Sequence, residues 1–243
     1  MIQQLEARGN GIIRWSVKNL KRLFKQLEGK LLRISPARLY SDYHNRMFDR
    51  KYGLETNKIV EVQELDLPKE MEQHATRYQG SKIRILRYIF NQLSIRYEEF
   101  TFIDFGSGKG RALLIATDYG FKRIIGIEIS LQLHEISQEN LQKYRMQTRR
   151  GDNIELHCMD VINFDFPDEK TLFYLYNPFD REITATVLKK IEKSLEVSPR
   201  EIFLVYVFPL CIDLLDSAQF LQLEKEGKMC GDHYRIYRAL TLG

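Results

Sequence analysis

The residues most able to do chemistry form one short run, Asp104-Phe105-Gly106-Ser107-Gly108-Lys109-Gly110. The run lies between an apolar stretch and a helix-like apolar pattern, which predicts a strand that turns sharply into a helix. Glycines at alternate positions allow a ligand to lie close to the main chain, and the open amides of the helix N-terminus face the same place. The Asp104 carboxylate would attract a cation and repel a phosphate. The run therefore predicts a cradle for a cationic ligand.

The spacing of the glycines argues against two phosphate-binding motifs. The dinucleotide fingerprint G-x-G-x-x-G would need a third glycine where this chain has Arg111. A Walker loop would need Ser or Thr after Gly-Lys, whereas Lys109 is followed by Gly110. A cationic nucleoside therefore fits the run better than NAD or ATP.

The pattern D-x-G-x-G-x-G after a strand resembles motif I of the class I methyltransferases, which bind S-adenosylmethionine. The resemblance implies that Asp104 holds the methionine amino group, directly or through water. It also implies that the glycine turn lines the cofactor. The cofactor-binding residues expected from this motif are Asp104, Gly106, Ser107, Gly108 and Gly110.

Two further stretches resemble the family's nucleoside-binding positions and follow in the family's order. Glu128 ends an apolar run about 20 residues after the central glycine, a position from which an acid can accept both ribose hydroxyls; Ile129 follows it. His157-Cys158-Met159-Asp160-Val161 resembles the adenine-binding stretch, so Asp160 and Val161 are expected beside the ring. Tyr78 is a further candidate for the cofactor pocket, and a purely structural aromatic remains the alternative there.

The stretch Thr171–Phe179 is an apolar strand that ends in Asn177-Pro178-Phe179 and resembles the family's motif IV. In relatives that methylate nitrogen, the Asn side chain and the next carbonyl accept the N–H groups, and the aromatic ring packs on the substrate. The resemblance implies catalytic roles for Asn177, Pro178 and Phe179, with Asn177 also near the cofactor. This chain lacks the second proline of the nitrogen-methylating pattern. The alternative is a plain strand end whose proline begins a helix.

Strands and helices must alternate to place these motifs at one edge of a sheet. Strand patterns at 101–105, 123–128, 154–159, 171–176 and 201–208 are mostly separated by helical patterns, which predicts an α/β fold with a parallel sheet. Residues 220–225 and 233–240 alternate apolar with polar residues and predict an antiparallel hairpin. The resemblance implies a Rossmann-like, doubly wound, mostly parallel seven-stranded sheet in the order 3-2-1-4-5-7-6, with the last strand antiparallel.

The N-terminal part of the chain differs in charge from the rest. Its first 40 residues contain nine Lys or Arg and two Asp or Glu, whereas the whole chain has a net charge of +4. Apolar residues in 11–35 recur at helical spacing, which predicts a basic amphipathic helix. We expect this helical extension to pack on the body; contact with an anionic membrane or nucleic acid is the alternative. The predicted domains are 1–75, this helix with an irregular cap, and 76–243, the methyltransferase domain.

Composition limits the remaining possibilities. Three scattered cysteines make a disulfide framework or zinc site improbable, and the five histidines form no metal-ligand pattern, so no metal is predicted. No apolar run approaches the length of a transmembrane helix, and the N-terminus lacks a secretory signal pattern. These features predict a cytoplasmic protein without a transmembrane segment.

The sequence therefore predicts an S-adenosylmethionine-dependent methyltransferase with an unidentified acceptor. Transfer to nitrogen of a protein side chain or small amine is expected ahead of transfer to nucleic-acid bases. Two alternatives stay open: O-methylation of a small acceptor, which would use a base beside the pocket, and a cofactor-binding scaffold without activity.

Overall fold

The computed structural model describes residues 36–240. The chain divides into two compact units, residues 1–40 and residues 41–243. The basic helix predicted for 11–35 lies outside the described residues, so it stays a prediction. Among the described residues, no helix is both long enough and apolar enough to span a membrane.

The core of the second unit is one sheet, formed within the described residues by seven strands. In chain order they are β1 Thr101–Phe105, β2 Arg123–Glu128, β3 Ile154–Cys158, β4 Thr171–Tyr176, β5 Ile202–Val207, β6 Leu221–Met229 and β7 Asp232–Ala239. The spatial order is β3-β2-β1-β4-β5-β7-β6. Neighbouring strands from β3 to β5 are parallel, whereas β7 is antiparallel to both β5 and β6. The predicted fold class and strand order are confirmed.

Helices cover both faces of the sheet because its central strands are apolar on both sides. The α-helices are α1 Pro36–Tyr52, α2 Lys69–Glu72, α3 Ile83–Phe90, α4 Arg111–Ala116, α5 Leu131–Thr148, α6 Arg181–Val197 and α7 Ile212–Ser217. Residues of α3, α4 and α5 pack with Phe102 and Tyr174 in one buried cluster. Residues of α6 and α7 pack with Phe105 and Tyr206 in a second. The result is a three-layer sandwich with two cores.

Parallel strands bring their carboxyl ends to one edge of the sheet, and four of the sequence motifs meet there. Asp104 pairs in register with Gly126 on one side and Tyr174 on the other. Glu128 pairs with Cys158, and Tyr176 pairs with Val207. This register places the acids of β1 and β2 and the end of β4 within one stretch of the edge.

The segment before the core differs from the sequence prediction. The irregular cap predicted within residues 1–75 is helical in part, because α1 runs to Tyr52, so the prediction was wrong for that part. One buried polar residue holds the helix against the core, since Asn45 Oδ1 accepts a hydrogen bond from Ile83 N at 3.1 Å. The domain boundary at residue 75 stays a prediction.

Candidate cofactor and acceptor site

A pocket of about 950 Å³, open mouth included, lies at the carboxyl edge of β1, β2 and β4. Ten of the predicted site residues line it: Tyr78, Asp104, Gly106, Ser107, Glu128, Ile129, Asp160, Val161, Pro178 and Phe179. Three others, Gly108, Gly110 and Asn177, are not part of the lining.

Asp104 supplies a buried carboxylate that has no hydrogen-bond donor among residues 36–240. Its residue is 4% exposed. Burial raises the pKa of Asp104 well above its ordinary value, and the charge of Glu128 raises it further. A buried carboxylate without a partner is costly, and an ammonium group placed beside it would relieve that cost. The site is therefore suited to a cationic amine.

Glu128 is also buried, but the backbone holds its carboxylate in place. Oε2 accepts a hydrogen bond from Gly108 N at 2.8 Å, and Oε1 accepts one from Ser130 N at 2.9 Å. Burial raises the pKa of Glu128, although these amide contacts oppose the shift. A carboxylate oxygen can accept more than one hydrogen bond. Each oxygen can therefore accept one more, which suits the paired hydroxyls of a ribose.

Asp160 and Val161 offer one acceptor and one donor at the end of β3. Asp160 Oδ1 caps a short 3₁₀ turn by accepting from Ile162 N at 3.0 Å, and this bond fixes the side chain. Within the described part of the chain, no residue accepts a hydrogen bond from Val161 N. The exocyclic amine and a ring nitrogen of adenine need this donor and acceptor pair. The two residues fit the adenine role that the resemblance implies.

The glycine turn is tight because protein atoms press on it. A Cβ at Gly106 would lie 2.6 Å from Pro178 Cβ, and a Cβ at Gly108 would lie 2.2 Å from the Tyr78 ring. Both glycines also have left-handed backbones, with φ of 71° and 53°. Gly110 lies against the Ser137 side chain. Only Gly106 of these three borders the pocket, so Gly108 and Gly110 serve the packing of the turn.

Residues 60–81 form a roof over this pocket. The two ends of the segment meet in a backbone bridge between Val60 and Tyr78. Near its middle, the Asp66 carboxylate accepts hydrogen bonds from Ser130 Oγ and Gln132 N at the start of α5. Lining residues contributed by the roof are Leu65, Leu67, Met71 and the run from His74 to Ser81. Of these, only Tyr78 was expected at the pocket from the sequence, because the segment has no helical or strand periodicity.

The roof is joined to the Asn-Pro-Phe turn by a strap of three residues, His74 to Thr76. Asp180 N donates to His74 O at 3.0 Å, Ala75 forms a bridge with Phe179, and Thr76 Oγ1 donates to Asn177 O at 2.9 Å. His74 Nδ1 also pairs with Asp180 Oδ2 at 2.7 Å. This hydrogen bond raises the pKa of His74. Burial acts to raise the pKa of Asp180, but Ile183 N, His74 and further contacts lower it overall. The strap places a histidine and carboxylate pair at the pocket.

Asn177 has a different environment from the one its motif implies. Its side-chain Oδ1 accepts a hydrogen bond from Tyr206 Oη at 3.0 Å, and the residue is 7% exposed. Tyr206 belongs to the core on the α6 and α7 face, opposite the face that carries Tyr174. The backbone of Asn177 is left-handed, with φ of 45°. Its predicted contact with the acceptor stays a prediction, and this geometry supports a role in shaping the turn.

Lys109 and Arg111 extend from the glycine turn towards the segment that follows α1. Lys109 Nζ donates to Glu55 Oε1 at 2.6 Å, and Arg111 Nε donates to Thr56 Oγ1 at 2.6 Å. Thr56 in turn is held by Asp49, whose Oδ2 accepts from Thr56 N at 2.9 Å. Both cationic side chains are nearly fully buried. The two bases of the turn therefore fix the 49–56 segment beneath the roof.

Comparisons with known proteins agree with this geometry. Residues 103–177 match the model of a family described as a methyltransferase domain. No curated protein matches the sequence. Among solved structures, the putative methyltransferase yhhF from Escherichia coli is 17% identical, with a TM-score of 0.51 over 65% of this chain and 86% of that chain.

Two further solved structures match at lower TM-scores. The tRNA (m1A58) methyltransferase TrmI from Aquifex aeolicus is 16% identical, with a TM-score of 0.49 over 66% of this chain and 70% of that chain. A SAM-dependent methyltransferase from Aquifex aeolicus is 12% identical, with a TM-score of 0.49 over 74% of this chain and 97% of that chain. At identities this low, the matches support a shared fold and no shared substrate.

The fold is Rossmann-like, and residues 103–177 within it match a methyltransferase domain. The domain confirms the cofactor expected from the sequence, S-adenosylmethionine. The pocket fits this cofactor: the unpartnered Asp104 carboxylate suits its ammonium group, and Glu128, Asp160 and Val161 suit its adenosine.

Proposed function

We propose that this protein transfers a methyl group from S-adenosylmethionine to a nitrogen of a protein side chain or a small amine. The proposal rests above all on one observation. Two buried carboxylates, Asp104 and Glu128, flank the glycine turn and keep acceptor positions open towards the pocket. Their arrangement matches the amine and the ribose of one ligand.

The chain's own residues would act mainly by binding and positioning. Bound S-adenosylmethionine supplies a methyl group activated by its sulfonium, so the protein needs orientation and exclusion of water more than a strong catalyst. Asp104 would hold the amine, Glu128 the ribose, and Asp160 with Val161 the adenine. The roof would exclude water, while Pro178 and Phe179 would form the wall on the acceptor side.

Calorimetry with S-adenosylmethionine tests the cofactor assignment. Glu128→Ala should weaken binding by about 1–3 kcal/mol, the scale of hydrogen bonds to charged groups. Glu135→Ala removes an exposed acid near the start of α5 and serves as the control with unchanged affinity. NAD should not bind. Unchanged affinity of Glu128→Ala would overturn the ribose assignment.

Methyl-labelled S-adenosylmethionine incubated with a cell extract tests the transfer. We expect label in the protein or small-molecule fraction, on nitrogen. Cofactor binding without labelled product from any fraction would favour the scaffold alternative. Label in nucleic acid would show that the acceptor is a nucleic acid and not a protein or small amine.

O-methylation of a small acceptor is the second candidate, and one observation favours it. His74, oriented by Asp180 at 2.7 Å, lines the pocket, and its Nε2 would take a proton from a hydroxyl once its 3.0 Å contact with Gln73 Nε2 is released. A product methylated on oxygen, made at a rate that falls when His74 is replaced, would support this candidate over the first.

A further inference from the structure

A buried network of three side chains reaches the pocket at Tyr176. Tyr176 Oη donates to Asp232 Oδ2 at 2.7 Å, and Lys82 Nζ donates to Asp232 Oδ1 at 2.7 Å. Lys82 also donates to Cys230 O at 2.9 Å. Tyr176 lines the pocket, whereas Lys82 and Asp232 are 4% and 8% exposed. The network joins the residue before α3, the end of β4 and the start of β7.

The hydrogen-bond roles in this network are fixed by chemistry. A carboxylate paired with a lysine has only acceptor positions, so the tyrosine must be the donor in its contact with Asp232. Once its single proton is committed, Tyr176 Oη can only accept a further hydrogen bond. No residue between 36 and 240 donates to that oxygen. This oxygen therefore keeps a free acceptor position on a residue that lines the pocket.

The place of Tyr176 in the sheet separates it from the cofactor's amine. Tyr174 pairs in register with Asp104, and Tyr176 lies two residues further towards the carboxyl edge on the same face. Its hydroxyl reaches Asp232 on β7, a strand separated from β4 by β5. Adjacent strands are about 4.8 Å apart. The hydroxyl therefore lies on the far side of β4 from Asp104, away from the position expected for the cofactor's amine.

We propose that Tyr176 is an acceptor-binding residue that receives a hydrogen bond from an N–H group of the methyl acceptor, with Asp232 and Lys82 as positioning residues. The proposal rests on the proposed function and narrows its substrate class to nucleophiles that carry an N–H donor. Burying an ion pair is costly unless its geometry is well satisfied. The Lys82–Asp232 ion pair fixes the direction of the Tyr176 hydroxyl proton, and this function would explain its burial beside the pocket.

In the transfer, the nitrogen lone pair forms the new N–C bond while the C–S bond breaks and its electrons stay on sulfur. The neutral thioether leaves as S-adenosylhomocysteine, and the nitrogen releases one proton to water. Tyr176 would orient the nitrogen through its N–H and direct the lone pair to the methyl carbon. It takes no part in the bond changes.

Fragment binding tests the proposal without a known acceptor. The probes are aniline and N,N-dimethylaniline, neutral at pH 7.5 and different in N–H content, offered to the S-adenosylhomocysteine complex and followed by saturation-transfer NMR. We expect aniline to bind at least about fivefold more tightly than its dimethyl counterpart, the scale of one net hydrogen bond. Tyr176→Phe, which keeps the ring and the Lys82–Asp232 pair, should abolish that preference.

Tyr174→Phe is the matched control, because it removes the hydroxyl of another tyrosine on the same face of β4. Tyr174 donates to Ser81 Oγ at 3.1 Å and does not line the pocket. The control should keep the preference for aniline, and both variants should bind S-adenosylmethionine with parental affinity. Equal binding of the two probes, no binding of either, or a preference that survives in Tyr176→Phe would overturn the proposal. Absence of any methylated product from extracts would instead count against the proposed function.

Discussion

At the residue scale, the two buried acids of the pocket, Asp104 and Glu128, differ in their hydrogen-bond donors. Glu128 is held by backbone amides, whereas Asp104 faces the pocket without a donor among residues 36–240. The first is a preorganised acceptor, and the second is a charge that destabilises the protein until a cation arrives. Binding strength and folding stability therefore oppose each other at Asp104.

Asp104→Asn should stabilise the cofactor-free protein while weakening S-adenosylmethionine binding. The folded-state pKa of Asp104 is raised, so the folded chain binds this proton more tightly than the unfolded chain. Stability from this group is present at low pH and is lost as pH rises through the folded pKa. The variant's advantage should thus be small near pH 4. Between the unfolded and folded pKa values it should grow by about 1.4 kcal/mol for each step of one in pH.

Thermal unfolding from pH 4 to pH 8 measures this difference. Asp152→Asn changes a highly exposed side chain and should show no such trend. If Asp104→Asn unfolds at or below the parental temperature at pH 8, the burial argument fails.

Asn177 should contribute to stability through its backbone as well as its side chain. Asn177→Gly keeps a left-handed conformation easily and loses mainly the Tyr206 hydrogen bond, about 1 kcal/mol. Asn177→Ala should lose about 1–2 kcal/mol more, because an ordinary residue is strained at φ of 45°.

Denaturant unfolding compares these variants with Tyr206→Phe, which removes the same hydrogen bond from the other side. The Gly and Phe changes should be non-additive. A loss of methyl transfer in Asn177→Gly that is absent in Tyr206→Phe would instead support the predicted contact between Asn177 and the acceptor.

At the element scale, the periodic parts of the sequence predicted the structure well. Apolar runs predicted β1, β2 and β4 with the bounds observed, because buried parallel strands carry continuous apolar residues. Glu128 ends β2 and Asp160 comes two residues after β3, so their position at one edge followed from the topology. The roof was missed because its contacts join residues far apart in sequence, such as Asp66 with Ser130 and His74 with Asp180. The contact between Tyr176 and Asp232 was missed for the same reason, because the two residues are 56 positions apart and no local sequence pattern predicts it.

The strap between the roof and the Asn-Pro-Phe turn should slow cofactor release in a pH-dependent way. Its His74 to Asp180 hydrogen bond raises the pKa of His74, and Glu182 adds to the rise. Stabilisation from this pair is full below the ordinary histidine pKa of 6.5 and is lost as pH rises through the raised value. His74→Phe should therefore release S-adenosylmethionine faster than the parent at pH 6, with a smaller difference at pH 9.

Stopped-flow displacement of the bound cofactor measures these rates. His233→Phe, an exposed histidine at the start of β7, should match the parent at both pH values. An equal effect of His74→Phe at pH 6 and pH 9 would show that the strap slows cofactor release independently of the protonation state of His74.

At the scale of the whole molecule, the positive charge of the chain is concentrated in its first 40 residues, outside the range that lines the pocket. All lining residues fall between Leu65 and Ile183. Deletion of residues 1–35 should therefore leave the affinity for S-adenosylmethionine unchanged, as calorimetry can show. Sedimentation with anionic liposomes or nucleic acid, compared for the two proteins, tests the alternative role. A folded deletion variant that no longer sediments would support contact with an anionic surface.

The contacts of the two buried bases of the glycine turn limit which fragments of the chain should be stable. Lys109 and Arg111 find their acceptors at Glu55 and Thr56, upstream of the predicted boundary at residue 75. A fragment that starts at residue 76 would contain the whole matched range but would lack both acceptors, and Arg111 would keep only Gly80 O and Ser81 O, so the fragment should be less stable. A fragment that starts at residue 41 would keep them. The smallest stable fragment of this chain should therefore include Glu55 and Thr56, which accept hydrogen bonds from the glycine turn, and the family match, which begins at residue 103, does not define it.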